Sequence, residues 1–357
     1  MLTEIKSFKL TGHLDEDPQR LRINRYHLVA REIGEGAYCT VDVYKKVCKG
    51  RPSSRLSAVK SFYMSMLRRS QCPVYSRESR VSVESGIFQL SRELSILDSL
   101  SGKSEHIVRV QEVIHDPKWQ RVVIAYDYCG APIMNYVELK AGFSAWIEQQ
   151  GSLYVQRSTE DINAFVEEDA IECLKQLMDA LSVIHASGVV HKDLKPENIL
   201  LNFPICRWIS IEDKAKTYRY SEYQHGRPLQ ITVCDFNTSE FSSDGLIYDA
   251  QGSTLFSPPE VFGRLDRSEG IDGFKRDMWS VGIIAACMLT GYVPVESGHR
   301  SLEFQIKLME LQESGMNHLD VSGIENGELW RIVQSLLSID VLDRPSAKEV
   351  LHLVNQL

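Results

Sequence analysis

The hydrophobic period of this chain changes once, near residue 128, and that change limits the fold more than any other feature. From Tyr26 to about Tyr128, short runs rich in Val, Ile and Tyr dominate: HLVAREI, CTVDVYKKV, LSAVKSFY, HIVRVQEVI and RVVIAYDY. Each is broken by Gly, Pro or charged residues, the signature of strands. One helical pattern interrupts them over 88–100, where Leu90, Leu94, Ile96 and Leu97 recur at three- and four-residue spacing. After Gly130 helical periodicity takes over. Over 166–187, Ile171, Leu174, Leu177, Met178 and Leu181 share one face, and further helices are predicted over 278–289, 302–311, 329–337 and 347–357. A β-rich first third followed by a helix-rich remainder predicts an α+β protein in two lobes. The boundaries are an arm over 1–25, a first lobe over 26–127 and a second over 128–357. Two stretches, 64–86 and 202–230, fit neither period and read as surface insertions.

Composition narrows the class. The 357 residues carry a net charge of −8, with 43% apolar and 25% charged residues, enough apolar surface for a sizeable core. Mild acidity argues against a general nucleic-acid binder, and no nucleic-acid partner is expected. The eight cysteines are scattered, with no CxxC pair. They read as reduced thiols of a cytoplasmic chain, a nuclear one being equally compatible. MLTEIKSFKL lacks the apolar region of a signal peptide. The most apolar stretch, 278–293, is shorter than the roughly 20 residues that a membrane span needs. It is expected to be a buried helix, and no membrane partner is expected.

Four motifs carry chemistry. Gly34-Glu35-Gly36-Ala37-Tyr38-Cys39-Thr40-Val41 sits between two strand-like runs. Glycines there let a tight turn bring N–H groups close to phosphate oxygens. The turn opens no helix, which argues against a dinucleotide-binding fold; alone it is equally an ordinary hairpin. Ala58-Val59-Lys60 ends an apolar strand in an ammonium, with Glu93 on the next helix as its natural carboxylate partner. Alone, it also reads as a surface lysine. His191-Lys192-Asp193-Leu194-Lys195-Pro196-Glu197-Asn198 is far more specific. Asp193 can accept or orient a hydroxyl proton, Lys195 can neutralise charge on a phosphoryl group in flight, and Asn198 offers an oxygen to Mg²⁺. Val233-Cys234-Asp235-Phe236-Asn237 follows, with Asp235 as a second metal ligand.

Together these motifs, in this order, resemble the protein-kinase signature set over roughly residues 26–355. Pro258-Pro259-Glu260, the segment 277–282 (DMWSVG) and Arg344 as partner of Glu260 fit the same family. The resemblance implies a protein-kinase-like two-lobed fold, with a β-rich N-lobe holding one main helix and a helical C-lobe. It implies ATP between the lobes and Mg²⁺ at Asn198 and Asp235. The glycine turn, from Ile33 and Gly34 through Glu35, Gly36, Ala37 and Tyr38 to Val41, would lie over the nucleotide. Ala58 and Leu200 would sandwich adenine, Asp127 and Cys129 would form the hinge, and Tyr126 would guard it. Lys60 would contact the phosphates and pair with Glu93, and Asp193 would act on the substrate hydroxyl. His191, Phe236, Leu97 and Val110 would stack as a spine. Lys195 and Ser253 indicate Ser/Thr specificity.

Four departures stand out. Cys39 replaces the third loop glycine, which is expected to alter ATP affinity more than activity. Lys192 replaces an Arg that grips an activation-segment phosphate; Lys is a point charge, which puts phosphate control through this residue in question. Asn237 replaces a Gly, and Asn tolerates left-handed backbone. Lys60 and Glu93 stand 33 residues apart, separated by the basic, Pro73-containing insertion. With VQEVIHDP, APIMN and Thr238-Ser239-Glu240-Phe241, that insertion resembles calmodulin-dependent kinase kinases and related kinases that activate the AMP-activated kinase family. The alternative for this insertion is a solvated loop. No basic amphipathic helix for calmodulin is seen. Three activities remain in play: transfer to a protein Ser or Thr, including one on another kinase; a pseudokinase scaffold, motivated by Cys39, Lys192 and Asn237; and transfer to a small molecule, against which Ser253 and 258–260 argue.

Overall fold

Period-two patterning in the first third builds a sheet whose register places the key side chains. The computed structural model describes residues 26–36, 39–48, 51–76, 81–116, 120–133, 146–149, 152–155, 165, 167–202, 229–262, 269–290, 304–306, 308–310, 313, 315 and 327–357. The predicted arm over 1–25, most of the 202–230 insertion, and Ala37 and Tyr38 lie outside these residues. The backbone divides into two units, one running to Tyr128 and the other from Cys129 to Leu357 together with Ser76–Ser79 and Ser104–His106.

In chain order, the first unit holds β1 (Tyr26–Gly36), β2 (Cys39–Cys48), β3 (Arg51–Tyr63), α1 (Met64–Arg69), β4 (Gln71–Tyr75), β5 (Val81–Ser85), α2 (Gly86–Leu100), β6 (Val110–Asp116) and β7 (Arg121–Asp127). Five strands form an antiparallel sheet in the order β1-β2-β3-β7-β6. Because side chains alternate across a sheet, the pairs Asp42↔Val59 and Val59↔Ala125 share one face. There Tyr26, Tyr44, Val59, Ile114, Val123 and Ala125 cluster. The pairs Val41↔Lys60, Lys60↔Ile124 and Ala58↔Tyr126 share the other. Strand β7 is buried on both faces, from Val122 to Tyr126, which explains why its sequence is continuously apolar rather than alternating.

Two expectations are corrected in this unit. The run at 106 begins its strand only at Val110; His106 belongs with the second unit, where its carbonyl accepts from the Val233 N–H at 2.8 Å and its Nδ1 lies 3.1 Å from the Ile231 carbonyl. The described residues of the 64–86 insertion form regular structure rather than the solvated loop of the alternative reading. Helix α1 runs into a β4–β5 ribbon in the register Gln71↔Ser85 to Tyr75↔Val81. Gly86 N–H donates to the Ser70 carbonyl at 3.3 Å, so the ribbon leaves and rejoins the fold at neighbouring points. Arg92 on α2 fastens Glu84 on β5 at 2.7 Å. The ribbon therefore adds length without displacing α2, and the wide spacing of Lys60 and Glu93 keeps them in reach of one another.

The second unit continues with β8 (Ala131–Pro132), β9 (Trp146–Gln149), β10 (Ser152–Val155), α3 (Glu167–Ala186), β11 (Val189–Val190), β12 (Ile199–Leu201), β13 (Ile231–Val233), β14 (Glu240–Phe241), β15 (Leu246–Ile247), β16 (Ile271–Asp272), α4 (Gly273–Thr290), α5 (Glu328–Leu336) and α6 (Ala347–Val354). Helix α3 packs against α4 and α6, and α4 against α5. Strands β8, β12 and β13 form a small antiparallel sheet, and β9 pairs with β10 in a hairpin that the helical reading of this region does not include. Helix α3 has Glu167, Glu168 and Asp169 in its first turn, favourable at the positive end of the helix dipole.

Helix α4 starts five residues earlier than the apolar run suggests. Asp272 Oδ1 accepts the Lys275 N–H at 3.0 Å and starts it. Lys275, Arg276 and Asp277 then enter the helix as polar residues, the last two fully buried. Among the described residues no helix is long and apolar enough to cross a membrane.

The predicted Glu260–Arg344 pair forms, at 2.8 and 3.3 Å. Arg344 has no exposed surface, and its remaining hydrogens reach the Ser338 and Lys275 carbonyls. All five guanidinium donors are thus used. Arg344→Leu is expected to destabilise the fold by about 3–5 kcal/mol, because it strands the Glu260 carboxylate. Adding Glu260→Leu should recover much of that loss, and chemical denaturation of both variants measures it.

Candidate active site

The functional side chains fall on each unit separately. In the first, strand pairing brings the glycine turn back on itself. Gly34 faces Val41, Glu35 faces Thr40, and Gly36 faces Cys39; Ala37 and Tyr38 lie outside the described residues. Cys39 occupies an ordinary strand position opposite Phe62 and needs no left-handed backbone. Its place in the third-glycine position is therefore accommodated without strain. Ile33, Val41 and Ala58 are half-buried, the last two on the same sheet face as Lys60.

Lys60 Nζ lies 4.0 Å from Glu93 Oε1 on α2. Glu93 is almost fully buried, so its charge needs partners. Tyr126 supplies one: its hydroxyl donates to Glu93 Oε1 at 3.3 Å, and its ring lies under the Lys60 ammonium at 5.7 Å. The residue expected to guard the hinge thus also braces the Lys60–Glu93 pair. Asp127 is tied by its carboxylate to Arg109 at 3.3 Å and Gln111 at 2.5 Å, and its N–H donates to the Arg109 carbonyl. Its side chain anchors the end of β7. Tyr128 N–H reaches the Leu56 carbonyl, and Cys129, the first residue of the second unit, is half-buried.

In the second unit, the loop after β11 gathers Asp193, Lys195 and Asn198. Lys195 Nζ lies 2.9 Å from Asp193 Oδ2 and donates to Ser253 Oγ at 2.9 Å. Ser253 N–H donates to Asp193 Oδ1 at 2.7 Å. Burial pushes the Asp193 carboxyl up, but Lys195 and the Ser253 hydrogen bond outweigh it and hold it below the usual carboxylate range. Burial likewise opposes the charge on Lys195, yet Asp193 keeps its ammonium above the ordinary value. Both groups therefore stay charged at neutral pH. Asn198 Nδ2 donates to the Asp193 carbonyl at 2.8 Å, which orients its oxygen away as the acceptor end of the amide. Leu200 on β12 is half-buried, paired with Thr232 and Pro132.

Asp235 follows β13 with φ 65°, a strained conformation for a residue with a β-carbon. Asn237, expected to need left-handed backbone, does not adopt it; the strain sits two residues earlier. Phe236 is fully buried and stacks edge-on against His191, ring centroids 4.8 Å apart, so these two of the four expected spine residues meet. Burial lowers the His191 pKa and keeps the ring neutral. Its Nε2–H then donates to the Cys234 carbonyl at 3.2 Å while Nδ1 accepts from the Asp193 N–H.

The loop is hung from one carboxylate. Asp277 accepts the His191 N–H at 2.9 Å and the Lys192 N–H at 3.0 Å, and it holds His185 Nε2 at 3.0 Å. Burial alone would raise its pKa; those bonds bring it down instead. Oxygen from Asn198 and carboxylate from Asp235 are hard donors suited to Mg²⁺. Among the described residues no three acidic, His or Cys side chains cluster as a metal site, so phosphate oxygens and water would have to complete any coordination.

Sequence reasoning missed Glu240, Asp249 and Arg276. Lys192 Nζ, with only 1% of its side chain exposed, is held by Glu240 Oε2 at 2.9 Å and Asp249 Oδ2 at 2.8 Å. Arg276 stands beside the buried-helix motif, between Lys275 and Asp277, where nothing in the linear order marks it as buried.

Comparison with known proteins defines the class: residues 27–354 match the protein kinase domain, and the chain belongs to that family. It is similar to the serine/threonine-protein kinase par-4 of Caenorhabditis briggsae, with 24% identity over 97% of this chain and 44% of that protein. It is also similar to CBL-interacting protein kinase 16 of Oryza sativa subsp. japonica, at 25% over 95% of this chain and 58% of the relative. Calcium-dependent protein kinase 27 of Arabidopsis thaliana matches at 24% over 92% and 54%. The chain spans about half the length of these relatives.

Tyr126→Phe keeps the ring and removes the hydroxyl. It is expected to lower the stability of the first unit by about 1–2 kcal/mol, the loss of a hydrogen bond to a buried charge, read from urea unfolding. Stability should also fall on acidification, in two stages. Below about pH 6.5 the unfolded chain takes up a proton that the buried, neutral His191 refuses. Asp193 and Asp277, held low in the fold, contribute stability present above the ordinary carboxylate range and lost as pH falls through their depressed values. A thermal-melting series from pH 8 to pH 2 should show both, and His191→Gln should reduce the first decline.

Proposed function

We propose that the chain is an active Ser/Thr protein kinase that transfers the γ-phosphate of ATP to a protein hydroxyl. The arrangement that carries this reading is Asp193, Lys195 and Ser253 bonded in a ring, with Asn198 fixing the Asp193 backbone. A carboxylate held ionised at low pKa is a weak base. Asp193 therefore orients the attacking hydroxyl more than it pulls its proton early, which suits a loose phosphoryl-transfer transition state. Lys195, kept protonated, offsets charge as it moves onto the transferring oxygens. Lys60, braced by Glu93 and Tyr126, is assigned to the nucleotide phosphates, and the half-buried Ile33, Val41, Ala58 and Leu200 to its base. Asn198 and Asp235 are assigned to Mg²⁺, which when bound would supply positive charge against the phosphates. Ser253, locked to both charged groups, supports a peptide acceptor over a small molecule.

The finer reading is that the acceptor is another kinase. It rests on the resemblance of 64–86, 110–117, 131–135 and 238–241 to kinases that act on kinases. The free thiols at Cys39, Cys72, Cys129, Cys173, Cys234 and Cys287 support a reducing, cytoplasmic setting, with the nucleus as the alternative.

Phosphate transfer from Mg·ATP to dephosphorylated casein is the test. Wild-type activity that falls by roughly 10²-fold or more in Asp193→Asn fits the assigned role. Absence of transfer by the wild type would favour the scaffold alternative.

A further inference from the structure

The proposed reaction depends on Ser253 being presented to Asp193 and Lys195, and both flanks of Ser253 are tied to two buried cations. On the near flank, Asp249 pairs with Lys192 Nζ through Oδ2, and its Oδ1 accepts the Gln251 N–H at 2.9 Å, bending the chain toward the loop. Arg276 Nη2 donates to the Gln251 carbonyl and to the Lys192 carbonyl at 3.0 Å. One nitrogen thus joins the two chain segments that carry Ser253 and Asp193. Between them sits Gly252 at φ 117°, where a β-carbon would lie 2.3 Å from the Lys192 carbonyl oxygen and 2.7 Å from Arg276 Nη2. On the far flank, Arg276 Nη2 lies 3.4 Å from Ser257 Oγ, which donates to the Ser253 carbonyl at 3.1 Å.

Lys192 Nζ is held between two carboxylates. Glu240 and Asp249 come from separate parts of the segment after Phe236, and the ammonium between them is sealed from solvent. Two fixed carboxylates occupy the place of any third anion at this cation. Two buried hydroxyls nearby are engaged: Ser242 Oγ lies 3.0 Å from Asp244 Oδ1 and 2.9 Å from the Leu246 carbonyl oxygen, and Ser239 donates to the His191 carbonyl, while Ser243 is exposed. Arg276 is a costly way to hold a chain: among the described residues its Nε and Nη1 have no hydrogen-bond partner. The fully satisfied Arg344 shows what a purely structural buried Arg looks like in this same fold.

We propose that Lys192, Asp249 and Arg276 are positioning residues forming a built-in charge clamp. It sets Ser253 against Asp193 and Lys195 and makes activity independent of phosphate on residues 236–257. This rests on the kinase reading above. The experiment uses the full chain, Mg·ATP and dephosphorylated casein, with thermal melting alongside kinetics. Wild-type protein treated with phosphatase, and shown by mass spectrometry to be free of phosphate, should keep its kcat. Lys192→Met strands Asp249, and should lower both the melting temperature and kcat, the latter by roughly 10- to 100-fold, the scale of a misplaced catalytic group. KM for ATP should stay unchanged. Lys192→Met combined with Asp249→Asn removes the buried stranded charge, leaving the solvent-reached Glu240, and should restore most of the melting temperature while kcat stays low. Arg276→Met should likewise lower kcat without altering KM for ATP.

Recovery of kcat together with the melting temperature in the double variant would overturn the proposal, reducing the pair to a structural role. So would loss of wild-type activity on dephosphorylation. An active wild type with unimpaired variants defeats the clamp alone; an inactive wild type defeats the kinase reading, and the clamp with it.

Discussion

Asp277 is the interaction on which the active-site half of this molecule depends. Its carboxylate has no contact with solvent, yet it accepts two consecutive backbone N–H groups, from His191 and Lys192, and a side-chain bond from His185. Such a site is favourable only because both carboxylate oxygens find donors, Oδ2 from His191 and His185 and Oδ1 from Lys192. The reward for this arrangement is geometric. Lys192 sits at φ 69°, a conformation that a residue with a β-carbon enters only under compulsion. Fixing its N–H to a buried helix holds that kink, and the kink aims Asp193 away from the core and toward Ser253.

The same helix, α4, carries a second kind of control in the neighbouring residue. Arg276 and Asp277 are adjacent, buried and opposite in charge, but they do different jobs. Asp277 fixes the start of the catalytic loop; Arg276 reaches across to the segment that carries Ser253. A rigid helix supplies two anchors one residue apart, so the two segments are located by a common frame. Comparison with Arg344 is instructive. There the guanidinium is completely satisfied by Glu260, Ser338 and Lys275, and the Trp279 ring packs 5.1 Å from its centre. That pairing ties the end of the segment to the helical core.

In the first unit, charge is managed by aromatic packing instead. Glu93 is buried on α2 and faces Lys60 at the outer limit of an ion pair. Tyr126 closes the gap from the sheet with its hydroxyl and its ring. The ribbon over 71–85 shows how a long insertion is tolerated: its strands pair with each other, and its base closes through Ser70 and Gly86. Helix α2 is therefore set by its own apolar face, whatever the length of chain before it.

Much of this was legible in the sequence. Period-two runs marked the sheet and three-to-four spacing marked α2, α3, α5 and α6, because burial on one face leaves that imprint directly. Asp193, Lys195, Asn198 and the Glu260–Arg344 pairing were legible too, since short motifs with fixed chemistry survive in linear order. What the linear order could not express were contacts among residues far apart whose types are individually ordinary. Glu240 and Asp249 look like surface carboxylates until Lys192 is found between them, and Tyr126 looks like a strand residue until Glu93 comes within reach. The ribbon was hidden because its two short strands, one of them interrupted by Pro73, lack a buried face. Asn237 drew attention that belonged to Asp235, because backbone angle depends on what the fold demands at each position. Sequence alone thus determined the class, the strand-rich and helix-rich parts and the candidate site groups, whose signals are local. Only the tertiary structure decided how those groups are held, because a buried charge is defined by its partners, and partners are chosen by folding.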